Sequence, residues 1–318
     1  MKRALICGLA GQDGSYLANL LLEKGYEVIG TSRDAMMTSF TNLNRLGIAD
    51  EVHKTSMAIN DFRSVLNTVQ KYQPDEIYNL AGQTSVALSF EQPVEAMQSI
   101  VDGTLNILEV IRFVDLPIRF YNAGSSECFG DTGESKATED SAFSPRSPYA
   151  VAKASAYWLV RNYREAYGLF ACTGILFNHE SPLRPERFVT QKIIRAAKRI
   201  AHGGNERLEL GNIDIFRDWG WAPDYVEAMW LMLQKDKPED YIVATGETYS
   251  LEQFISKVFG YYNLDWSQYV VFNNQLKRPA DIKFSCANPN KAKLQLGWAA
   301  QKDLDEIVKC MCTDSVRG

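Results

Sequence analysis

A chain of 318 residues, 46% hydrophobic and 23% charged, has ordinary globular composition and is long enough to bury a large core, which excludes disordered and fibrous classes. With 34 Lys and Arg against 39 Asp and Glu, the formal charge of −5 leaves no basic field for a nucleic-acid backbone, so any bound phosphate has to be met by local groups. Six cysteines without a C-x-x-C pair and three histidines without ligand spacing argue for free thiols in a reducing compartment and for no metal site.

The chain opens on Met1-Lys2-Arg3-Ala4-Leu5-Ile6-Cys7-Gly8, too short an apolar run for a secretory signal or a bilayer span, so a cytoplasmic protein with no membrane partner is expected. Arg3 to Cys7 reads as a buried strand. Gly8-Leu9-Ala10-Gly11-Gln12-Asp13-Gly14 follows it and opens a helix over Ser15 to Lys24, ended by Gly25. In that context the glycines allow a tight turn and close approach of a pyrophosphate to free N–H groups at the helix start, so Gly8, Gly11, Gln12, Asp13 and Gly14 are assigned to dinucleotide binding rather than to a plain strand-to-helix turn. A second strand, Glu27 to Thr31, ends at Ser32-Arg33-Asp34. Arg33 there favours the 2′-phosphate of NADP, whereas Asp34 offers the opposing reading, a carboxylate on the 2′-hydroxyl of NAD.

A strand over Glu76 to Leu80, a helix over Val101 to Arg112 and a strand over Arg119 to Ala123 continue the alternation. Ala123-Gly124-Ser125-Ser126-Glu127 leaves that strand at the carboxyl edge of the sheet, where ligands bind in open α/β folds. A hydroxyl there can bond a reacting substrate oxygen, and Glu127 can move a second proton, which an elimination needs and a simple alcohol oxidation does not. Pro148 to Tyr167 forms a helix carrying Tyr149 and Lys153 at i, i+4. That spacing puts phenol and ammonium on one face, where the cation favours the phenolate as a base for an alcohol proton. A further strand spans Ala171 to Leu176. After Phe177 the alternation breaks, yet Tyr241-Ile242-Val243-Ala244 again reads as a buried strand. The expected architecture is therefore α/β: a Rossmann-type, doubly wound parallel sheet over residues 1–177, with segments at about 212–245 returning to it, and a smaller interleaved substrate lobe within 178–318.

These residues together resemble one family, the GDP-mannose 4,6-dehydratases of the extended short-chain dehydrogenases. The resemblance rests on Gly11-Gln12-Asp13-Gly14-Ser15-Tyr16-Leu17, Pro145-Arg146-Ser147-Pro148-Tyr149, Asn162-Tyr163-Arg164-Glu165, Gly174-Ile175-Leu176-Phe177-Asn178-His179-Glu180-Ser181-Pro182, Arg217-Asp218-Trp219-Gly220 and Asp224 to Trp230. It implies an NADP-dependent enzyme in which Ser125, Tyr149 and Lys153 oxidise the sugar and Glu127 is the acid–base of the elimination. It also implies a substrate site drawing on Ser85, Ser126, Asn178, Val189, Lys192, Arg217, Arg278 and Asp281 for a GDP-sugar, and assembly as a homodimer or homotetramer. Four departures bear on it: Ala58 replaces an aspartate expected against the adenine, Phe216 replaces a lysine, Leu183-Arg184-Pro185-Glu186-Arg187 replaces a glycine-containing run, and Ser85 stands in a sugar-facing loop where the family often has a larger side chain. The alternatives are a dehydratase of another GDP-sugar such as a GDP-manno-heptose, a 4-epimerase or 4-ketoreductase, and a non-catalytic NADP-binding scaffold or sensor. Glu127 argues against the epimerase and ketoreductase, and Tyr149 with Lys153 against the scaffold.

Overall fold

In the computed structural model, which describes residues 1–276 and 280–317, apolar runs become strands because both of their faces are covered. Along the chain, β1 (Arg3–Cys7), α1 (Gln12–Glu23), β2 (Glu27–Ser32), α2 (Thr41–Leu46), β3 (His53–Ser56), α3 (Phe62–Tyr72) and β4 (Glu76–Asn79) alternate. Helices α4 (Val86–Glu91), α5 (Pro93–Met97) and α6 (Gly103–Val114) lead to β5 (Arg119–Ala123), and α7 (Pro148–Tyr167) leads to β6 (Ala171–Leu176). The second half carries β7 (Asn178–Glu180), α8 (Val189–Ala201), β8 (Leu208–Leu210), β9 (Phe216–Arg217), β10 (Trp219–Trp221), α9 (Ala222–Gln234), β11 (Tyr241–Val243), β12 (Tyr249–Ser250), α10 (Leu251–Tyr261), β13 (Val270–Phe272), β14 (Phe284–Ser285) and α11 (Leu304–Cys312).

Seven strands form one sheet in the order β11-β6-β5-β4-β1-β2-β3, and every pairing in it is parallel. Parallel neighbours need crossovers, and the helices that supply them cover both faces. On one face α1 and α9 bury Leu17, Leu21, Tyr225, Met229 and Leu233 against the sheet. On the other, α3, α6 and α7 bury Val65, Val69, Ile107, Ile111 and Val160. Strand order reverses between β1 and β4, and a crevice opens at that switch point beyond the carboxyl ends of the strands. A second core joins α8, α10 and α11 around Ile193, Phe254, Phe259 and Ile307. It carries short sheets of its own: β12-β9-β14 and β13-β8, with β10-β7 between it and the main sheet.

Some boundaries differ from the sequence expectation. Helix α1 begins inside the glycine run, at Gln12 rather than Ser15. The helix expected over Val101 to Arg112 spans Gly103–Val114 and continues directly from a π-helical turn at Gln98–Asp102. Strand β3, His53-Lys54-Thr55-Ser56, escapes notice because it is a polar edge strand with little burial. Among the described residues no helix is long and apolar enough to cross a membrane, and no group of three or more His, Cys, Asp or Glu could hold a metal ion.

Candidate active site

One cavity of about 860 Å³ runs from the glycine loop, past Ser125 and Tyr149, to the face of the second lobe. Its size suits a cofactor and a substrate lying end to end. At the loop end, Gly8 has φ +91°, a left-handed conformation, and a Cβ there would lie 2.9 Å from the Leu80 carbonyl. A Cβ on Gly14 would lie 2.4 Å from the Gly8 oxygen, so this glycine lets α1 pack against the loop. Gly11 differs: its missing Cβ meets only one atom within 4 Å, the Gly8 oxygen at 3.4 Å, and its absence leaves room beside the cavity. Gly11 is also the N-cap of α1, which no side chain caps. An open helix N-terminus under a glycine cradle is what a pyrophosphate requires, so the residues present fit a dinucleotide.

The side chains of Gln12 and Asp13 are engaged inside the protein as well as lining the cavity. Gln12 Nε2 donates to Asp13 Oδ1 (2.9 Å) and to the His179 carbonyl (3.3 Å), and its Oε1 accepts from Ser181 Oγ (2.8 Å). Asp13 Oδ2 lies 2.9 Å from His179 Nε2. Beyond β2, Arg33 lines the cavity with its side chain 82% exposed and, among the described residues, makes a loose contact with Glu95 at 3.7 Å. Asp34 does not line it: its Oδ1 accepts from the backbone N–H groups of Met36 (2.9 Å) and Met37 (3.1 Å) and closes its own turn. Ala58 lies off the cavity wall, which is made by Met57, Ile59 and Asn60.

At the centre, α7 starts with Pro148 at its first turn, and Ser147 Oγ caps it by accepting from Ala150 N–H (3.1 Å). That fixes Tyr149 within the first turn and Lys153 one turn later. Lys153 Nζ donates to the Ala123 carbonyl at the end of β5 (2.8 Å) and sits 5.9 Å from the centre of the Tyr149 ring. Burial pushes the Tyr149 phenol up from its ordinary value, against the hydrogen bond from Ser125 and the charge of Arg184. Burial also pulls the Lys153 ammonium down to about 8. Both groups are thus biased toward their neutral forms, and what favours a phenolate is the Ser125 hydrogen bond and the charge of Arg184. Ser125 starts a short 3₁₀ turn, Ser126–Phe129, by accepting from Glu127 N–H at 3.3 Å. The turn places Ser125, Ser126 and Glu127 on the cavity wall with Tyr149.

Toward the second lobe the wall holds Ser85, Asn178, Val189, Lys192, Arg217 and Asp281. Ser85 caps α4 by accepting from Leu88 N–H (3.2 Å), and Lys192 Nζ donates to the Glu209 carbonyl (3.1 Å). Arg217 is buried, and its guanidinium donates to the carbonyls of Phe216 (2.9 Å), Ile282 (2.8 Å) and Lys283 (3.3 Å), with Asp281 Oδ1 at 3.7 Å. It therefore braces the wall between β9 and β14 while facing the cavity. Arg278 lies outside the described residues. Phe216 stacks on Phe284 (4.7 Å, 17°) and lines a separate shallow depression, so its difference from lysine does not alter the large cavity. Sequence reasoning assigned no role to Gln83, Thr84, Arg184 or Arg187, which also line the cavity. Arg187 Nη2 bridges to Thr84 Oγ1 at 3.2 Å across the crevice. No local spacing could have signalled that bridge, because only the fold brings the two loops together.

Known proteins resemble this chain over nearly its whole length. A family described as GDP-mannose 4,6 dehydratase matches residues 5–311. The chain is 46% identical over 325 residues to GDP-mannose 4,6 dehydratase 2 of Arabidopsis thaliana, covering 99% of this chain and 87% of that relative. It is 41% identical over 349 residues to GDP-mannose 4,6-dehydratase of Vibrio cholerae, covering 99% and 93%. A UDP-glucose 4-epimerase from Thermotoga maritima, solved with UDP-glucose, superposes with a TM-score of 0.87 at 24% identity over 98% of each chain. A dTDP-glucose 4,6-dehydratase from Bacillus anthracis, solved with NAD, does so with a TM-score of 0.85 at 17% identity over 100% of this chain and 97% of that one. At these identities the two structures establish the shared fold.

Proposed function

The chain belongs to the GDP-mannose 4,6-dehydratase family and is a sugar-nucleotide 4,6-dehydratase, and from that premise we propose how its residues divide the work of turning GDP-mannose into GDP-4-keto-6-deoxymannose and water. The observation that carries the proposal is the meeting of Ser125, Glu127, Tyr149 and Lys153 on one cavity with the glycine loop. Gly11 at the open start of α1 would hold the pyrophosphate of NADP and Arg33 its 2′-phosphate, and the bound cofactor would supply the hydride acceptor for sugar C4 and the donor for C6. Support for NADP over NAD is the freedom of Arg33 together with the commitment of Asp34 to its own turn.

Tyr149, steadied by Ser125 and Lys153, accepts the C4 hydroxyl proton as C4 becomes a ketone. The ketone acidifies the C5 hydrogen, which Glu127 removes as a proton and passes to the departing C6 hydroxyl, releasing water. Tyr149 then returns its proton to C5, so phenolate, carboxylate and cofactor would all end as they began. Arg217 and Lys192, with Asn178 and Val189, form the wall for the GDP moiety, where Arg suits bidentate bonding of a diphosphate and Lys acts as a point charge. Exposed Phe113, Trp158 and Tyr167 on α6 and α7 support self-association as a homodimer or homotetramer.

The test uses GDP-mannose deuterated at C4. Wild-type enzyme should give a product lighter by one water and labelled at C6. Glu127→Gln, which keeps the shape but cannot shuttle the proton, should bind the sugar nucleotide within about threefold of wild type while water loss falls by about 10²-fold or more. Label that returns to C4 without loss of water would replace the dehydratase with an epimerase.

A further inference from the structure

The ring of His179 is enclosed between the glycine loop and the second lobe, 7% exposed. Its Nδ1 lies 2.8 Å from the Phe177 carbonyl oxygen and its Nε2 lies 2.9 Å from Asp13 Oδ2. A carbonyl has no proton to give. The other oxygen of Asp13 accepts from Gln12 Nε2; burial raises this carboxyl, but His179, Gln12 and Arg184 together hold it below the ordinary carboxylate range, so it is an ionised group that only accepts. Both ring nitrogens therefore have to donate, and a histidine that donates from both is an imidazolium.

The surroundings agree. From α9, Tyr225 stacks its ring on His179 at 4.6 Å and 27°, presenting a π face to the cation. From the same segment as His179, Arg184 Nη1 donates to the His179 carbonyl (3.2 Å), and its opposing charge is met by Glu180, whose Oε2 lies 3.1 Å from Arg184 Nε and accepts from Thr190 Oγ1 at 2.6 Å. Burial disfavours the charged ring, yet the Asp13 carboxylate outweighs it and the histidine is raised above its ordinary value.

We propose that His179 is a positioning residue held as an imidazolium, which clasps the glycine loop at Asp13 to the end of β6 at Phe177 and neutralises Asp13 at the open N-terminus of α1. The proposal rests on the reading of that loop as the cofactor cradle. Its second element has a direct consequence: Asp13 lies in the first turn of the helix on which a pyrophosphate is to sit, and a bare carboxylate there repels the phosphates. Paired with an imidazolium it does not. Loss of the ring proton would leave a lone pair facing an oxygen, break one of the two bonds and expose the Asp13 charge.

Two measurements on the full chain test this. With only three histidines in the sequence, side-chain ¹⁵N NMR of the ligand-free protein can assign His179 by its loss in His179→Asn. At about pH 8, above the value of about 6.5 for an isolated histidine, the His179 signal should report two protonated nitrogens. A neutral ring overturns the proposal, whether or not the variant folds well enough for the second arm. That arm is NADP binding. His179→Asn should weaken it by about tenfold or more, and adding Asp13→Asn, which removes the unpaired charge, should recover it to within about threefold of wild type. Equal weakness of the single and double variants would make His179 a mere packing group and overturn the neutralising role. If wild type itself bound no NADP, the cofactor reading would fall, and the NMR result would still decide the clasp.

Discussion

Burial acts on Tyr149 and Lys153 from opposite ends of the pH scale: it holds the proton on the phenol and loosens the one on the ammonium, which falls to about 8. Tyr149 can act as a base only where neighbouring positive charge and hydrogen bonds offset that burial. Arg33 poses a simpler electrostatic question. Its guanidinium is exposed and loosely held, so ordering it on a phosphate adds charge-assisted hydrogen bonds that a bare ribose does not offer. Arg33→Ala should raise the NADP dissociation constant by about tenfold or more and that of NAD by less than about threefold. Titration of the purified variant with each cofactor checks this, and equal losses would return Arg33 to the solvated surface. At this scale the sequence speaks clearly where chemistry is local. Tyr149 and Lys153 are one helical turn apart, and the glycine run follows a strand. The Asp13–His179 pair, 166 positions apart, is invisible without the fold. So is the engagement of Arg217 with three carbonyls, because a residue type carries no record of which partners it finds.

Helix α7 shows how one element sets the chemistry. Ser147 caps it, Pro148 starts it, and Gly168 ends it at φ 69° with its N–H on the Arg164 carbonyl. Ser147→Ala should cost about 1 kcal/mol of stability and lower the melting temperature by about 2–4 °C. Because Tyr149 lies in the turn that frays, kcat should fall more than the substrate KM rises, and Ser147→Thr should restore both. Thermal unfolding with steady-state kinetics decides between this and a purely structural cap, which would move the melting temperature alone. The whole of α7 was legible from its caps and its ending glycine, as were β1, β5 and β6 from their apolar runs. The strands of the second lobe were not, since two or three residues, as in β9 or β12, are too few to show a period.

On the scale of the whole molecule the clasp makes stability a function of pH. His179 is raised in the folded protein, so its contribution is fully present below the unfolded value of about 6.5 and is lost as pH rises through the folded value. Asp13 feels burial upward but is lowered overall by His179, so its contribution is present above the ordinary carboxylate range and is lost as pH falls through the lowered value. Asp218, pushed up to about 6 by burial, favours the folded state only at lower pH, and its contribution has faded by about 6.5. The melting-temperature advantage of wild type over His179→Asn should therefore be largest between about pH 4 and 6.5 and shrink steadily in more alkaline buffer. Melting curves of both proteins across pH 5 to 9 measure it, and a constant difference would mean that His179 carries no proton that folding retains.

The return of β11 to the sheet has its own consequence during synthesis. Strand β6 is buried along its whole length, and its outer edge is covered by Tyr241–Val243, with Asp240 Oδ1 accepting from Thr173 N–H at 2.7 Å. At about 5–20 residues added per second, the nascent chain carries that apolar edge unpaired for on the order of several seconds while the intervening helices are made. An uncovered edge is a template for a neighbouring chain. The yield of native protein is therefore set by a race between elongation through residue 243 and encounter with another nascent copy, and slow translation of α8 to α9 would tip that race toward aggregation.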